Sequence, residues 1–222
     1  MPSDKRRDAL RTFKFGIPPY SYAPLRSAIL GIFNVQVPMF GARERMPWEQ
    51  IEAGIARATR KEDARAANLA VAKSLYDFAE QHGIAGREQD FFPMAMGTAA
   101  KIKYWSSAVI AVDGVPTVGF VDPRKRNALT AEARRFVFSV MHERIRVLNP
   151  DYADVQLGII QFRKQEEGRS AVLFKDNGLD LFDFETLDRM VRETYEVWWQ
   201  VQEEREAASK KGTGTWGPLF GE

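Results

Sequence analysis

The dipeptide Asp113-Gly114 constrains the fold more than any other feature of this sequence, because it is a strong signal for a two-residue β-hairpin turn. Apolar residues 108–112 precede the dipeptide and the apolar residues 118–121 follow it. Pro116 lies between the turn and the second apolar segment, which favours a sheet edge or a bulge at that point. The centre of the chain is therefore predicted to form a β-hairpin.

Two helices are predicted on the N-terminal side of this hairpin. The first covers Trp48–Ala58. Thr59 and Glu62 have the spacing of a capping box and predict the start of a second helix. This second helix is predicted to run to His82 and to end at Gly83, a residue type that commonly follows the last turn of a helix.

The C-terminal half continues the alternation of helix and strand. Thr130 is predicted to cap a helix, since apolar residues follow it at helical spacing. Residues 155–162 are apolar on both faces, as expected of a central strand, and residues 171–174 predict another strand. A long amphipathic helix is predicted over residues 184–208.

Together these elements predict an α/β fold, with α+β as the variant, in which helices flank a central mixed sheet. A length of 222 residues with 45% apolar content suits one domain with additions. We divide the chain into an irregular and helical segment at 1–47, a single α/β domain at 48–208 and a flexible tail at 209–222. Within the first segment, residues 23–33 predict a short buried helix.

The composition excludes several classes of protein. No apolar run reaches the roughly 20 residues that span a bilayer, and no secretory leader is recognised, so a cytoplasmic location is expected. The chain has no cysteine, which removes disulfides, thiolate zinc sites and cysteine nucleophiles. It has two histidines, His82 and His142, and neither is placed for a zinc site. No phosphate-binding loop, dinucleotide fingerprint or serine nucleophile elbow is present.

Residues 115–126 carry the strongest chemical signal. Asp122 follows the predicted strand and is itself followed by Arg124, Lys125 and Arg126. A carboxylate can bind a hard divalent ion, and nearby cations can stabilise phosphate charge, as metal-dependent phosphodiester cleavage requires. Further bases lie on or beside the hairpin and predict one surface for a nucleic-acid backbone. This predicted nucleic-acid-binding set is Lys101, Lys103, Arg124, Lys125, Arg126 and Arg134.

The order of these elements over residues 59–162 resembles the core of the PD-(D/E)XK nuclease superfamily, in the layout of its RecB-type exonucleases. In that superfamily one acid lies on the second core strand and an acid-x-Lys triplet lies on the third. The triplet position reads Asp122-Pro123-Arg124 here, with Lys125 one residue later. Serine and alanine occupy the position of the first acid, and the nearest acid is Asp113, in the turn.

The resemblance implies a divergent metal-dependent nuclease, a hydrolase acting on DNA or RNA. It implies catalytic roles for Asp122, Arg124 and Lys125, and a Mg²⁺ or Mn²⁺ ion held by Asp122 and Asp113, with Asp90 or Glu80 as alternatives to Asp113. Arg124 can stabilise phosphate charge but cannot act as a base, since arginine stays protonated. The main alternative is a catalytically inactive module that binds nucleic acid or protein. A third possibility is an unrelated small-molecule enzyme.

The C-terminal helix carries a separate prediction. Trp198 and Trp199 are adjacent, so helical geometry turns Trp198 inward and Trp199 to the opposite side. An outward indole predicts either a homodimer or binding of a partner protein through this helix. The tail residues Trp216, Leu219 and Phe220 are further candidates for contact with a partner.

Overall fold

The computed structural model describes residues 3–13, 21–36, 44–98, 100–125, 127–166 and 168–212. The chain divides into two compact units. Among the described residues, the first unit contains 3–13, 95–98, 100 and 185–212, and the second contains the others, which lie between residues 21 and 94 and between residues 101 and 184. This division does not coincide with the boundaries at 48 and 208 that were drawn from the sequence.

The second unit is built on a six-stranded mixed sheet with the order β1-β2-β5-β6-β7-β8. β1 pairs with β2 and β6 pairs with β7 in parallel, while the other neighbours are antiparallel. Two further short strands, β3 and β4, lie outside this sheet. The strands in chain order are β1 Val35–Gln36, β2 Ala85–Glu88, β3 Met94–Ala95, β4 Lys101–Ile102, β5 Ala108–Val112, β6 Val115–Val121, β7 Gln156–Lys164 and β8 Arg169–Lys175. The predicted mixed α/β fold is confirmed.

The hairpin between β5 and β6 forms where the sequence predicts it. Asp113 and Gly114 have φ angles of 50° and 79°, the left-handed pair that a type I′ turn requires. Pro116 pairs with Ala111 of β5, but the ladder between β6 and β7 begins only at Thr117. The residue without an N–H group therefore lies just before the point where β6 becomes a central strand.

Six α-helices are described, and those of the second unit cover both faces of its sheet. They are α1 Ser3–Thr12, α2 Ala23–Ile32, α3 Trp48–Ala58, α4 Glu62–Gln81, α5 Ala131–Met141 and α6 Phe184–Gly212. α2, α3 and α4 share one apolar core with the side chains of Ile160 and Phe162. Gln161, between those two residues, points to the opposite face, where it contacts Arg134 of α5.

The predicted helices form, but several of their ends differ from the prediction. The capping box at Thr59 is wrong, because the Thr59 hydroxyl donates to the carbonyl of Ile55 in α3 and α4 has no side-chain cap. α5 is capped by Thr130 as expected and continues as a π-helix over His142–Val147. The Trp48–Ala58 helix has the predicted bounds.

The first unit pairs α1 with α6. Arg6 forms a salt bridge to Glu193 at 3.1 Å, and Arg7 and Arg11 both bind Glu204. The guanidinium of Arg205 donates to three carbonyls at the end of α1 and just after it. α6 continues to Gly212, and the rest of the predicted tail, with Trp216, Leu219 and Phe220, lies outside the described residues. None of the helices in the described part of the chain is long and apolar enough to cross a membrane.

Candidate functional site

The Asp122 carboxylate is the centre of a hydrogen-bonded cluster at the carboxyl end of β6. The residue is only 1% exposed. Arg124 donates to the carboxylate through Nε at 2.6 Å and through Nη2 at 3.0 Å. The Leu129 N–H and the Gln161 side-chain amide each donate to the carboxylate at 3.0 Å. Both oxygens of Asp122 are therefore occupied by protein donors.

The same cluster holds the loop between β6 and α5. Arg134 donates to the carbonyl of Leu129 and to the side-chain oxygen of Gln161, both at 3.0 Å, while its guanidinium lies 3.9 Å over the ring of Phe174. Arg169 of β8 donates to the carbonyls of residues 123 and 124. Donors from β7, β8 and α5 thus hold the loop that begins with Asp122.

The hydrogen bonds decide the protonation state of Asp122. Burial on its own raises the pKa of this carboxyl group, but the bonds from Arg124, Leu129 and Gln161 outweigh burial and lower the pKa below its usual value. In α5, burial and the neighbouring charge of Arg163 lower the pKa of the Arg134 guanidinium. The Asp122 carboxylate is therefore ionised and accepts hydrogen bonds that hold the loop between β6 and α5.

The lowered pKa predicts a loss of stability in acid. A carboxyl group with a folded pKa below its unfolded value of about 3.9 stabilises the fold above that pH, and this contribution disappears as pH falls through the folded pKa. We expect the free energy of unfolding to fall more steeply below about pH 4 in the wild type than in Asp122→Asn, which cannot titrate. Urea denaturation of both proteins at several pH values measures the difference. Parallel pH dependence would contradict the assignment.

A cleft of about 1240 Å³ opens beside the cluster, within the second unit. The rings of Phe120 and Phe136 lie 6.0 and 6.3 Å from that of Tyr104, both in edge-to-face geometry, and form one wall. Arg26 and Lys125 line the cleft and form no ion pair with a described residue. Among its described lining residues, Asp122 is the single acid.

The lining of this cleft is suited to binding an anionic group. Aromatic walls bury apolar groups, and the cations of Arg26 and Lys125 attract an anionic group beside them. The carboxylate that the sequence assigns to catalysis is already bonded to Arg124, Gln161 and a backbone N–H.

Asp113, the second predicted metal ligand, lies far from Asp122. It sits in the hairpin turn and binds the His82 ring at 2.9 Å. The seven residues of β6 separate the two acids, a distance of roughly 20 Å at about 3.3 Å per residue. The structure therefore does not bring them together on one ion. Asp90, an alternative ligand, binds Lys103 at 2.7 Å, and this contact lowers the pKa of the Asp90 carboxyl.

The described residues contain no group of three histidine or acidic side chains that could hold a metal ion. The Mg²⁺ or Mn²⁺ ion stays a prediction without such a ligand group in this part of the chain. The predicted catalytic residues Arg124 and Lys125 both line the cleft, but Arg124 is engaged with Asp122 and Lys125 is exposed.

The predicted nucleic-acid-binding cations are largely engaged in contacts within the protein. Lys103 is bound to Asp90, Arg124 to Asp122, and Arg134 to Gln161 and the Phe174 ring. Lys101 and Lys125 are exposed, and Arg126 lies outside the described residues. Among the described bases of this set, Lys103, Arg124 and Arg134 are therefore engaged within the protein, whereas Lys101 and Lys125 form no ion pair with a described residue.

Sequence reasoning missed Gln161 and Arg169, which organise the cluster. Gln161 carried a usable signal, because it is the polar residue in the middle of the apolar run 155–162 and is 5% exposed. A polar side chain at such a position needs a buried hydrogen-bond partner. Arg169 gave no signal of this kind, since it follows a charged loop. Trp199 lies outward on α6, as predicted, with 65% of its surface exposed.

Comparison with known proteins gives a consistent result. A family model described as "Sliding clamp-binding bacterial toxin SocB" matches residues 1–208. The DNA replication inhibitor toxin SocB of Caulobacter vibrioides (strain NA1000 / CB15N) is 36% identical over 214 residues, which cover 95% of this chain and 89% of that protein. No solved structure matches the chain significantly.

These matches overturn the resemblance to the PD-(D/E)XK nuclease superfamily. The prediction of a nuclease, a hydrolase and a DNA-binding protein is wrong, because the family match spans almost the whole chain and describes toxins that bind a protein. The predicted nucleic-acid partner is wrong for the same reason. The acid-then-base run at Asp122 gave a misleading signal, since its residues bind one another and hold a loop.

Proposed function

Because the chain belongs to the SocB family of sliding clamp-binding bacterial toxins, we propose that it is a toxin that binds the sliding clamp and inhibits DNA replication. The observation that carries the proposal is the family match over residues 1–208. Replication takes place in the bacterial cytoplasm, so we propose that location for the chain. The partner is then a protein, and toxicity requires binding alone.

The chemistry of the described residues supports binding over hydrolysis. The acid at the predicted catalytic position is buried and fully bonded, and the predicted second ligand lies at the other end of β6. We therefore expect no cleavage of DNA or RNA in the presence of Mg²⁺ or Mn²⁺. Metal-dependent cleavage that is lost in Asp122→Ala, with the fold intact, would favour the nuclease instead.

The first test is direct binding. We expect the purified chain to bind the sliding clamp of the bacterium that encodes it with a dissociation constant of about 1 μM or tighter, as a specific protein interface would give. Isothermal titration calorimetry measures the affinity, and the clamp of Caulobacter vibrioides serves as a second partner. A wild-type chain that binds neither clamp would contradict the proposal.

The second test is made in cells. Induced expression should stop incorporation of labelled thymidine before RNA and protein synthesis decline, because a clamp occupied by the toxin cannot serve replication. Overproduction of the clamp should relieve the arrest by mass action. An arrest that clamp overproduction leaves unchanged would assign the toxicity to a different target.

A further inference from the structure

The large cleft beside Asp122 lies at the carboxyl end of β6, at one edge of the six-stranded sheet. β6 and β7 are parallel and are joined through α5, so both strands end at this edge. Its described lining includes residues of α2, which covers one face of the sheet, and of α5, which covers the other. In open α/β sheets the crevice outside the carboxyl ends of the strands is the usual place for a small ligand.

One wall of the cleft consists of the aromatic rings of Tyr104, Phe120 and Phe136. The Tyr104 ring lies edge-to-face with both phenylalanine rings, so the three side chains form one apolar surface. All three residues are only partly buried. A flat apolar group would complete their burial, and the cleft volume of about 1240 Å³ leaves room for a molecule much larger than a single ring.

The charged side chains of the cleft favour an anion. Arg26 of α2 and Lys125 of the loop after β6 are exposed and form no salt bridge with a described residue. Arg124 and Asp122 neutralise each other, so this pair adds no net charge. The described lining therefore carries the uncompensated positive charges of Arg26 and Lys125, and the apolar wall beside them strengthens their field in the cleft.

These two charges indicate which anion fits. A phosphate group carries about 1.5 to 2 negative charges at neutral pH, and its three oxygens accept bonds from more than one direction. Cations on two separate elements, α2 and the loop after β6, therefore match a phosphate better than a carboxylate with its single charge. A nucleic-acid backbone is matched less well, since its affinity grows with the number of phosphates that are neutralised along a track of cations.

We propose that this cleft binds a nucleoside phosphate. The base packs against the rings of Tyr104, Phe120 and Phe136, and the phosphates lie against Arg26 and Lys125. A nucleoside phosphate combines the flat apolar group and the multiple negative charge that the two parts of the lining require. The inference goes beyond the proposed function and does not rest on it, because it involves no contact with the sliding clamp.

The first test is calorimetric titration of the full chain with ATP, GTP, CTP and UTP in the presence of EDTA, which removes the Mg²⁺ that would mask the phosphate charge. We expect at least one of the four to bind at a single site with a dissociation constant of about 100 μM. The matching nucleoside and inorganic phosphate should each bind at least about tenfold more weakly, because each retains only one of the two groups that the cleft recognises.

A charge variant tests the position of the phosphates. Arg26→Glu with Lys125→Glu should weaken nucleotide binding about tenfold and leave nucleoside binding unchanged. The matched control is Arg60→Glu with Lys175→Glu, which makes the same change in net charge at two exposed residues of the second unit outside the cleft. The control separates contact within the cleft from attraction by the net charge of the protein.

A ring variant tests the position of the base. Phe136→Leu keeps an apolar side chain on α5 but removes the ring, and it should weaken the binding of nucleotide and nucleoside alike, by about fivefold. Thermal unfolding checks that each variant folds. The charge variant keeps the proposal testable if Phe136→Leu fails to fold, since both of its substitutions are at exposed residues.

Three results would overturn the inference. The first is the absence of saturable binding for all four nucleotides at millimolar concentration. The second is equal affinity in the two charge variants, which would place the phosphates outside the cleft. The third is inorganic phosphate binding as tightly as the nucleotide, which would mean that the base is not recognised. Binding of the sliding clamp is measured separately, so neither proposal depends on the outcome of the other.

Discussion

Asp122→Ala is expected to destabilise the protein by about 3 kcal/mol, because it leaves several donors in or beside the core without their acceptor. The substitution removes the partner of the Leu129 N–H and of the Gln161 amide, and it leaves the Arg124 guanidinium without its counter-charge. The midpoint of urea denaturation measures the loss. A large loss is the expected behaviour of a carboxylate that holds a loop rather than one reserved for catalysis.

Asp113→Asn is the control at the other end of β6, since asparagine tolerates the left-handed φ of 50° at this position and the substitution removes only the charge. The Asp113 side chain is 59% exposed and its partner is the partly exposed His82 ring. An exposed pair of this kind contributes at most about 1 kcal/mol. Equal destabilisation by the two substitutions would contradict the structural role of Asp122. Wild-type stability in Asp122→Ala would contradict it as well.

Asp113 and Asp122 show which structural roles can be predicted from the sequence and which cannot. The Asp113-Gly114 pattern predicted its turn correctly, because a type I′ turn is determined by these two adjacent residues. The role of Asp122 depends on Leu129 and on Gln161, which is 39 positions away. An acid followed by bases has the same spacing whether it binds a metal or its own loop, so the pattern could not separate the two.

Secondary structure was likewise predicted correctly where it depends on residues that are near each other in the sequence. Helical periodicity located α3 and α6, and it correctly turned Trp199 outward, because one face of each helix is apolar. β2 escaped prediction, since residues 85–88 read Ala-Gly-Arg-Glu and have no apolar alternation. That segment becomes a strand by pairing with β1 and β5. Its structure is imposed by neighbours that lie distant in the sequence.

The proposed binding of a protein partner was not predicted from motifs for a related reason. Catalytic and metal sites need particular residue types at fixed spacing, which a single sequence can display. A folded surface that binds a protein needs shape, exposed apolar groups and charge, and a set of residues distant in the sequence is brought into such a surface only by folding. The ion pairs of Glu193 with Arg6 and of Glu204 with Arg11 illustrate this, since nothing in the sequence distinguishes these two acids from the other acids of α6.

Gly97→Ala is expected to destabilise the first unit by about 3 kcal/mol, which combines the cost of a left-handed backbone with that of overpacking. Gly97 has a φ angle of 66°, and an added Cβ would lie 2.6 Å from the Cβ of Val191 and 2.7 Å from the backbone nitrogen of Arg192. Its N–H donates to Asp188, so the loop cannot move away without losing that bond. Chemical denaturation and hydrogen exchange of the α6 amides measure the effect.

Gly83→Ala is the control that isolates the steric part of this cost. Gly83 has a similar φ angle of 55°, but an added Cβ there would meet no atom within 4 Å. We expect it to cost about 1 kcal/mol, the backbone contribution alone. Val191→Ala should not rescue Gly97→Ala, because the Cβ of residue 191 and the Arg192 nitrogen both remain in place. Equal costs at positions 83 and 97 would mean that the 95–98 loop does not pack on α6, since only close contact with the helix distinguishes the two glycines.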